Sequence, residues 1–300
     1  MNRFIVAIAA GLAVSACSGG NPFEEDTDDG TETETTIPEA ISRDVDSISY
    51  DADSQTLIVR GQSLDNTPYE ATYTRAAALD RNGYEAYTSQ EGSLGRHHTA
   101  YVREIDGARA AVVMAGGQFD HLFSGADYGR TGPYTAPDVS QEGGIVHYAG
   151  SYVGLVNGPG DGSDLNPVAD GTPDAVLPSQ AAEVTGQVFI TADFADNVVD
   201  GVIYDRDLPD YPTVEPQNLN LGVGTIAENG TFDGTVYVGA NNNVGEYGGI
   251  FSGQDASAVA GAIYASEHIE GVTNEYEQGI FVLGQCGTAN DDPVCDQPLP

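Results

Sequence analysis

The chain has 300 residues and a formal net charge of −36, from 46 acidic residues against 10 arginines and no lysine. This charge excludes nucleic acid as a partner, because binding to phosphates requires basic side chains, and it disfavours contact with an anionic membrane surface. Self-repulsion of this size weakens a fold at low salt and is screened at high ionic strength. We therefore expect a protein adapted to a saline medium, with an acidic surface made for a basic partner as the alternative.

The first 17 residues predict an export signal that ends in a lipidated cysteine. A basic start is followed by an apolar run over residues 4–14 and by small residues before Cys17. The run is shorter than the roughly 20 residues of a membrane-spanning helix. Val14-Ser15-Ala16-Cys17 resembles a bacterial lipobox, which implies lipid, including palmitate, on Cys17, and Ser18 then implies release to the outer membrane. An ordinary secretory signal with a coincidental cysteine is the alternative.

Residues 18–42 are predicted to form a disordered acidic tether. The segment is dominated by Gly, Thr, Glu and Asp and has little apolar content. Such a composition cannot bury enough apolar surface to offset the entropy of ordering the chain.

Residues 43–142 predict a smaller β-rich domain. A hairpin turn is indicated at Asp106-Gly107, and no stretch keeps a helical period for three turns. Phe119–Arg130, rich in Gly and Asp, is expected to be a connection to the next domain. The predicted strands are Ser47–Tyr50, Thr56–Arg60, Tyr69–Thr74, Tyr84–Thr88, Thr99–Ile105 and Ala108–Met114.

Residues 143–286 predict an eight-stranded antiparallel β-barrel, so that the fold class is all-β. An even number of strands with hairpin connections closes naturally into an up-and-down barrel, with a β-sandwich as the alternative. Glycines inside the strands indicate bends, bulges or close backbone approach. The predicted strands are Ile145–Val156, Glu183–Phe194, Asn197–Asp205, Asn218–Ala227, Thr231–Gly239, Glu246–Ser252, Ala258–Ser266 and Gln278–Gln285.

The remaining cysteines, Cys286 and Cys295, form an even pair in a chain with an export signal, and a disulfide between them is the expected state. The closed loop of about ten residues stabilises the fold by about 2–3 kcal/mol in the chain-entropy view. It would hold the tail, residues 287–300, against the end of the last strand.

Five motifs follow one another in the order seen in transferrin-binding protein B. They are Ala149–Gly154, Thr191–Phe194 with Val199–Gly201, Phe232–Thr235, the hairpin Gly245–Tyr264, and Gln278–Gly284. The region resembles the eight-stranded lobe barrel of that family of surface lipoproteins, and residues 43–142 stand where its handle domain would. Host-receptor members have two such lobes, whereas this chain has room for one. The resemblance implies a solute- or protein-binding role outside the cytoplasm. It gives little support for transferrin itself as the partner.

Few residues of the sequence suggest a catalytic or metal-binding site. His97 and His98 are interpreted as part of a surface turn, because neighbours on a strand point to opposite faces and rarely share a metal. The oxygen-rich loop Gly158–Asp174 leaves calcium open, although Leu165 stands where an EF-hand needs an oxygen ligand. No nucleophile elbow, phosphate-binding loop or dinucleotide fingerprint is present. We therefore expect no enzyme activity, no cofactor and no metal site.

The sequence thus predicts an outer-membrane lipoprotein, on the cell surface or the periplasmic face, that binds a protein or a small solute, and nutrient or iron acquisition is the expected setting. The loops Asn157–Ala182 and Tyr204–Pro216 at one end of the barrel are expected to present the contact surface, since loops on a rigid scaffold commonly carry recognition. The alternatives are a structural or protective envelope lipoprotein without a ligand and a metal-binding scavenger.

Overall fold

The structure of the protein is a computed structural model that describes residues 36–63, 67–118, 122–139 and 144–298. The predicted signal, Cys17 and most of the predicted tether lie outside these ranges. Within them, helix is limited to α1, Glu39–Ser42, and to 3-10 turns at Ala77–Leu79, Asp174–Val176, Gln254–Ala256 and Pro293–Asp296. None of these helices has the length and apolar character needed to span a bilayer. The all-β prediction is confirmed.

The first seven strands form one antiparallel sheet in which each strand pairs with the next along the chain. They are β1 Val45–Asp51, β2 Thr56–Gln62, β3 Pro68–Arg75, β4 Glu85–Gln90, β5 His97–Ile105, β6 Ala108–Ala115 and β7 Ser124–Arg130. Contacts join its first and last strands: the Asp44 amide donates to the Ser124 carbonyl at 3.1 Å, and the Ile48 amide donates to Asp127 Oδ2 at 3.0 Å. The sheet therefore curls until it is nearly closed.

Strand β7 overturns the prediction that Phe119–Arg130 is only a connection. Its sequence, Ser-Gly-Ala-Asp-Tyr-Gly-Arg, contains no β-branched residue, yet it pairs with β6 from Met114↔Ser124 to Ala108↔Arg130. Strand preference depends strongly on packing against neighbouring strands. The partner β6 is buried along its whole length, and this environment makes a strand of a weak local sequence.

The last eight strands form a closed barrel. They are β8 Ile145–Pro159, β9 Ala181–Asp193, β10 Val198–Asp207, β11 Leu219–Ile226, β12 Thr231–Val238, β13 Asn242–Ser252, β14 Ala258–Ser266 and β15 Tyr276–Gly284. Every neighbouring pair is antiparallel, and β15 closes the barrel by pairing with β8 from Phe281↔Tyr152 to Glu277↔Val156. The barrel prediction is confirmed and the sandwich alternative is rejected.

Aromatic rings and glycines on adjacent strands fill the barrel together. Phe281 lies directly opposite Gly261, and a Cβ on that glycine would stand 2.3 Å from the Phe281 ring. Phe232 faces Gly249 in the same way. In-strand glycines were predicted to mark bends or close approach, and at these positions they make space for a ring on the neighbouring strand.

The two sheets pack on each other through β6, which is buried on both faces because it lies between two cores. Val112 and Met114 belong to the core shared with the outer wall of the barrel, where Ala260 and Ile280 lie. Val113 belongs to the core inside the seven-stranded sheet. The barrel wall formed by β14 and β15 is thereby supported from outside, and the two ends of the barrel are left to the loops.

Candidate functional site

The barrel has two ends, which the alternating strand directions assign to different connections. The cavity end is formed by the loops 160–180, 208–218, 239–241 and 267–275. The sealed end is formed by the turns 194–197, 227–230 and 253–257 and by the segment 285–298 that follows β15.

Aromatic rings fill the sealed end. The Phe251 ring lies 5.0 Å from Phe194, 5.0 Å from Phe232 and 5.5 Å from Tyr148, between ring centroids. The Tyr148 hydroxyl donates to the Ala256 carbonyl at 2.6 Å, so the buried phenol is satisfied. These contacts close the interior of the barrel on this side.

The C-terminal segment attaches at the sealed end. Cys286 and Cys295 are joined in a disulfide, with their Cα atoms 5.6 Å apart. The Cys286 amide donates to the carbonyl of His147 on β8 at 2.9 Å, which holds the start of this segment beside the barrel wall.

A cavity of about 240 Å³ lies at the opposite end. Its apolar wall comes from one strand and two loops, through Val156, Leu208, Tyr211, Val214, Ile269 and Val272. Val272 is 42% exposed, so the cavity reaches the surface beside it. The Tyr211 hydroxyl donates to the Pro159 carbonyl at 2.6 Å and fixes the loop 208–218 across the end of β8.

Among the residues that the structure describes, Glu275 is the one acidic residue that lines this cavity, and it is only 4% exposed. Its Oε1 accepts the backbone N–H groups of His268 and Ile269, the second at 2.8 Å. Its Oε2 is buried and has no hydrogen-bond partner among the described residues. Half of a buried carboxylate is thus satisfied, and the other half is left without a donor.

A fully buried charge cluster adjoins Glu275 inside the barrel. Arg206 forms an ion pair with Glu277, and both side chains are 0% exposed. The Tyr152 hydroxyl donates to Glu277 Oε1 at 2.5 Å, and His268 Nε2 lies 3.0 Å from Glu277 Oε2. Because the backbone N–H of His268 also binds Glu275, this residue links the cluster to the cavity wall.

Neighbouring groups keep the Glu277 carboxyl ionised. Burial alone would raise the pKa of this carboxyl, but the Arg206 guanidinium, followed by the hydrogen bond from His268, lowers it from 4.5 to about 2. Burial, reinforced by the nearby Glu277 carboxylate, raises the pKa of Tyr152 well above its ordinary value, so its hydroxyl remains a donor. Glu277 is therefore an ionised acceptor held by an arginine, a histidine and a phenol.

Local backbone features aim these side chains inward. Strand alternation points Glu277, Gly279 and Phe281 of β15 into the barrel, and a Cβ at Gly279 would stand 1.8 Å from the Tyr152 hydroxyl oxygen. Near the end of β10 the pairing with β9 shifts between Tyr204 and Asp207. Such a bulge reverses which face a side chain occupies and brings Arg206 to the interior.

Sequence reasoning missed this cluster, although one signal for it was present. Arg206 is the sole arginine after Arg130 in a strongly acidic chain, and a lone basic residue among carboxylates is a candidate for a buried ion pair. His268 stands far from the other histidines in the sequence. Its partners lie within ten residues along the chain, at Glu275 and Glu277, but their convergence depends on the loop between β14 and β15.

The predicted recognition loops have different surroundings. The loop 208–218 contributes Leu208, Tyr211 and Val214 to the cavity. From the Asn157–Ala182 prediction, residues 157–159 line the cavity, whereas Asp164 lies against the seven-stranded sheet, its Oδ2 2.9 Å from His97 Nε2.

The histidine pair is not a surface turn, and that interpretation was wrong. His97 and His98 begin β5 and pair with β4, which places them within the sheet. His97 is 0% exposed. His98 packs among the rings of Tyr69, Tyr73 and Phe123 on the opposite face, where burial lowers its pKa to about 4.

Two carboxylates of the acidic loop Gly158–Asp174, those of Asp161 and Asp164, contact groups of the protein itself. Asp161 Oδ1 accepts the Ser163 amide at 2.8 Å, and this bond lowers the pKa of Asp161. Across the part of the chain that the structure describes, no three His, Cys, Asp or Glu side chains are grouped so that they could hold a metal ion.

Comparisons with known proteins find similarity in fold to solved structures. No family model and no curated protein matches the chain. Two solved structures of transferrin-binding protein B mutants from Haemophilus parasuis are each 10% identical, with TM-scores of 0.38 and 0.37, and each covers 77% of this chain. The isotype 1 protein from serogroup B Neisseria meningitidis is 13% identical, with a TM-score of 0.32 and 79% coverage.

The chain spans about half the length of these structures, 51%, 52% and 51% respectively. They belong to the family that the sequence motifs resemble, and at these identities and scores the similarity concerns the fold alone. Partner and activity have to be argued from the residues of this chain.

Proposed function

We propose that this chain is a non-enzymatic binding protein of the bacterial cell envelope that holds a small solute at the cavity end of its barrel. The observation that carries the proposal is the cavity itself, with apolar walls and the buried carboxylate of Glu275. Pockets of this composition are typical of small-molecule sites, in which a few polar groups orient a mostly apolar contact.

A binding role is favoured over catalysis by the way Glu277 is held. Both oxygens of Glu277 are engaged, by Tyr152 on one side and by Arg206 and His268 on the other. The low pKa of Glu277 makes it a poor proton acceptor near neutral pH. An ion-paired anion under the cavity shapes the site without offering a general base.

The solute is expected to be held at the outer membrane, in nutrient uptake. In this proposal lipid on Cys17 anchors the chain, and the part of the predicted 18–42 tether that precedes α1 links it to the fold, since Ile41 of α1 is buried. Residues 43–142 form the handle-like domain and residues 143–286 present the cavity. The lipobox-like Val14–Cys17 supports the anchor. A Cys17→Ser variant should lose palmitate labelling and move from the membrane to the soluble fraction, and membrane retention of the unlabelled variant would contradict a lipid anchor.

Solute binding is tested by mass spectrometry of the intact full chain under non-denaturing conditions, after purification from the cells that make it. We expect an adduct of constant mass on the wild type and none on Val272→Trp, whose indole would fill the cavity from its exposed rim. Identical spectra for the two proteins, without any adduct, would favour a structural or protective lipoprotein instead.

A further inference from the structure

Two buried carboxylates and one arginine lie beside the cavity. Arg206 is paired with Glu277, and the ring of His268 lies between the carboxylates, 3.2 Å from Glu275 Oε1 and 3.0 Å from Glu277 Oε2. Glu275 therefore has no arginine of its own, and it is this carboxylate that lines the cavity. A buried charge is strongly destabilising unless it is paired or fully hydrogen-bonded.

The atom of Glu275 without a hydrogen-bond partner among the described residues is Oε2. Glu275 Oε1 already accepts two backbone N–H groups, so its position is fixed by the loop 267–275. Oε2 has no donor among the residues the structure describes, and His268 Nδ1, 3.2 Å from Oε1, does not serve it. Because Glu275 lines the cavity, a molecule bound there is the candidate source of a donor for Oε2.

We infer that the cavity takes a small organic cation, an ammonium group that donates to Glu275 Oε2 on an apolar body that packs against Leu208, Val214 and Ile269. The inference rests on the proposed function and names the chemical class of its solute. A hydrogen bond between a buried carboxylate and a charged donor is about twice as strong as a neutral one, which makes an ammonium the best match.

The size and lining of the cavity further restrict the class of solute that it can hold. A cavity of roughly 150 Å³ lined by apolar residues holds benzene, so about 240 Å³ accommodates an aromatic ring with a short side chain. Hard metal cations take six or more oxygen ligands. The polar residues of this lining are Glu275, Asn157, Thr273 and Asn274, and the Asn157 side chain is already bonded to the Asn274 carbonyl and the Tyr276 amide. An organic amine therefore fits this site better than a metal ion.

General attraction of cations to an acidic protein has to be separated from binding at this site. Glu228 provides the control, since it is an exposed acidic residue in a turn of the sealed end. Glu228→Gln and Glu275→Gln change the net charge equally. Only Glu275→Gln replaces the unpartnered oxygen, while the glutamine oxygen can still accept the N–H groups of His268 and Ile269.

The experiment is isothermal titration calorimetry on the full chain with three matched probes: phenethylamine, 2-phenylethanol and 3-phenylpropanoate. We expect one phenethylamine per chain, bound about ten- to hundredfold more tightly than the alcohol or the acid, as a charged hydrogen bond predicts. Glu275→Gln should remove this preference, Glu228→Gln should keep it, and Val272→Trp should abolish binding of all three. Thermal melts establish that each variant is folded.

The outcomes separate the two proposals. If 2-phenylethanol binds as tightly as phenethylamine and Val272→Trp removes both, the cavity is a solute site but the preference for a cation is wrong. If phenethylamine binds equally to the wild type and to Val272→Trp, or weakens equally in Glu228→Gln and Glu275→Gln, its binding is to the acidic surface and the inference is overturned. If no probe binds the wild type, the inference fails, and the adduct experiment alone decides the proposed function.

Discussion

The interior of the barrel is filled by different kinds of side chain at its two ends. At the sealed end, Phe194, Phe232 and Phe251 pack ring against ring and the disulfide-linked segment lies alongside. At the cavity end, Arg206 and Glu277 occupy the interior as an ion pair and the space above them remains open.

The difference indicates what each end is for. Aromatic packing stabilises a fold directly through burial of apolar surface. A buried ion pair contributes little net stability, because desolvation offsets its attraction, and apolar residues of similar volume often serve better. A barrel closed by phenylalanines at one end has no structural need for charges at the other, so the charges agree with the solute site that we propose at the cavity.

The largest expected effect tests the ion pair. Arg206→Met leaves Glu277 buried without its guanidinium, and breaking a buried pair in this way costs about 3–5 kcal/mol of unfolding free energy. The double variant Arg206→Met/Glu277→Met removes both charges and should recover most of the loss. Urea unfolding monitored by circular dichroism measures all three proteins.

The matched control is the exposed ion pair of Arg60 with Glu70, in which the arginine side chain is 43% exposed. Arg60→Met should change the unfolding free energy by about 1 kcal/mol or less. Equal losses in Arg206→Met and Arg60→Met would mean that the cavity end is solvated and that its contrast with the sealed end is false.

The second prediction concerns the stability of the fold at acid pH. Because the folded-state pKa of Glu277 is lowered from 4.5 to about 2, its contribution to stability is present above 4.5 and is lost as the pH falls from about 4.5 to about 2. The difference in unfolding free energy between the wild type and Glu277→Gln should therefore shrink across that interval. The difference for exposed Glu228→Gln should stay small throughout, and a Glu277→Gln difference that does not vary with pH would contradict the ionised, paired carboxylate.

Sequence reasoning predicted the barrel because its signals are local. The alternation of Val188, Ile190 and Ala192 along β9 places all three in the core, and the local turn sequence Asn229-Gly230 joins β11 to β12. The charge cluster was not predictable in the same way. Its inward Arg206 depends on the irregular pairing of β10 with β9, which reverses the alternation.

The same limit explains the errors in the first seven strands. The environment of His97 is set by Asp164, which lies 67 residues away in the chain. Strand β7 is set by its pairing with β6 and not by its own composition. In both cases the structure depends on contacts with another segment of the chain, and the pattern of residues within one segment does not contain them.

The third prediction tests whether the two ends are independent. Removing the disulfide with Cys286→Ala/Cys295→Ala should lower the unfolding free energy by about 2–3 kcal/mol, as expected for a closed loop of this size. Phenethylamine affinity should be unchanged, because the disulfide lies at the sealed end. A variant that remains folded but loses the affinity would show that the ends are coupled.

The smallest expected effect is shared by both ends and concerns salt. The net charge of −36 repels itself across the surface, and raising NaCl from about 0.1 M to about 1 M shortens the screening length from about 10 Å to about 3 Å. The melting temperature should therefore rise with NaCl. The rise should be equal in the wild type and in Arg206→Met, because a fully buried pair is hardly screened whereas surface repulsion is common to both proteins. A melting temperature that stays constant or falls with salt would contradict adaptation to a saline medium, and it would leave a basic partner as the better explanation of the acidic surface.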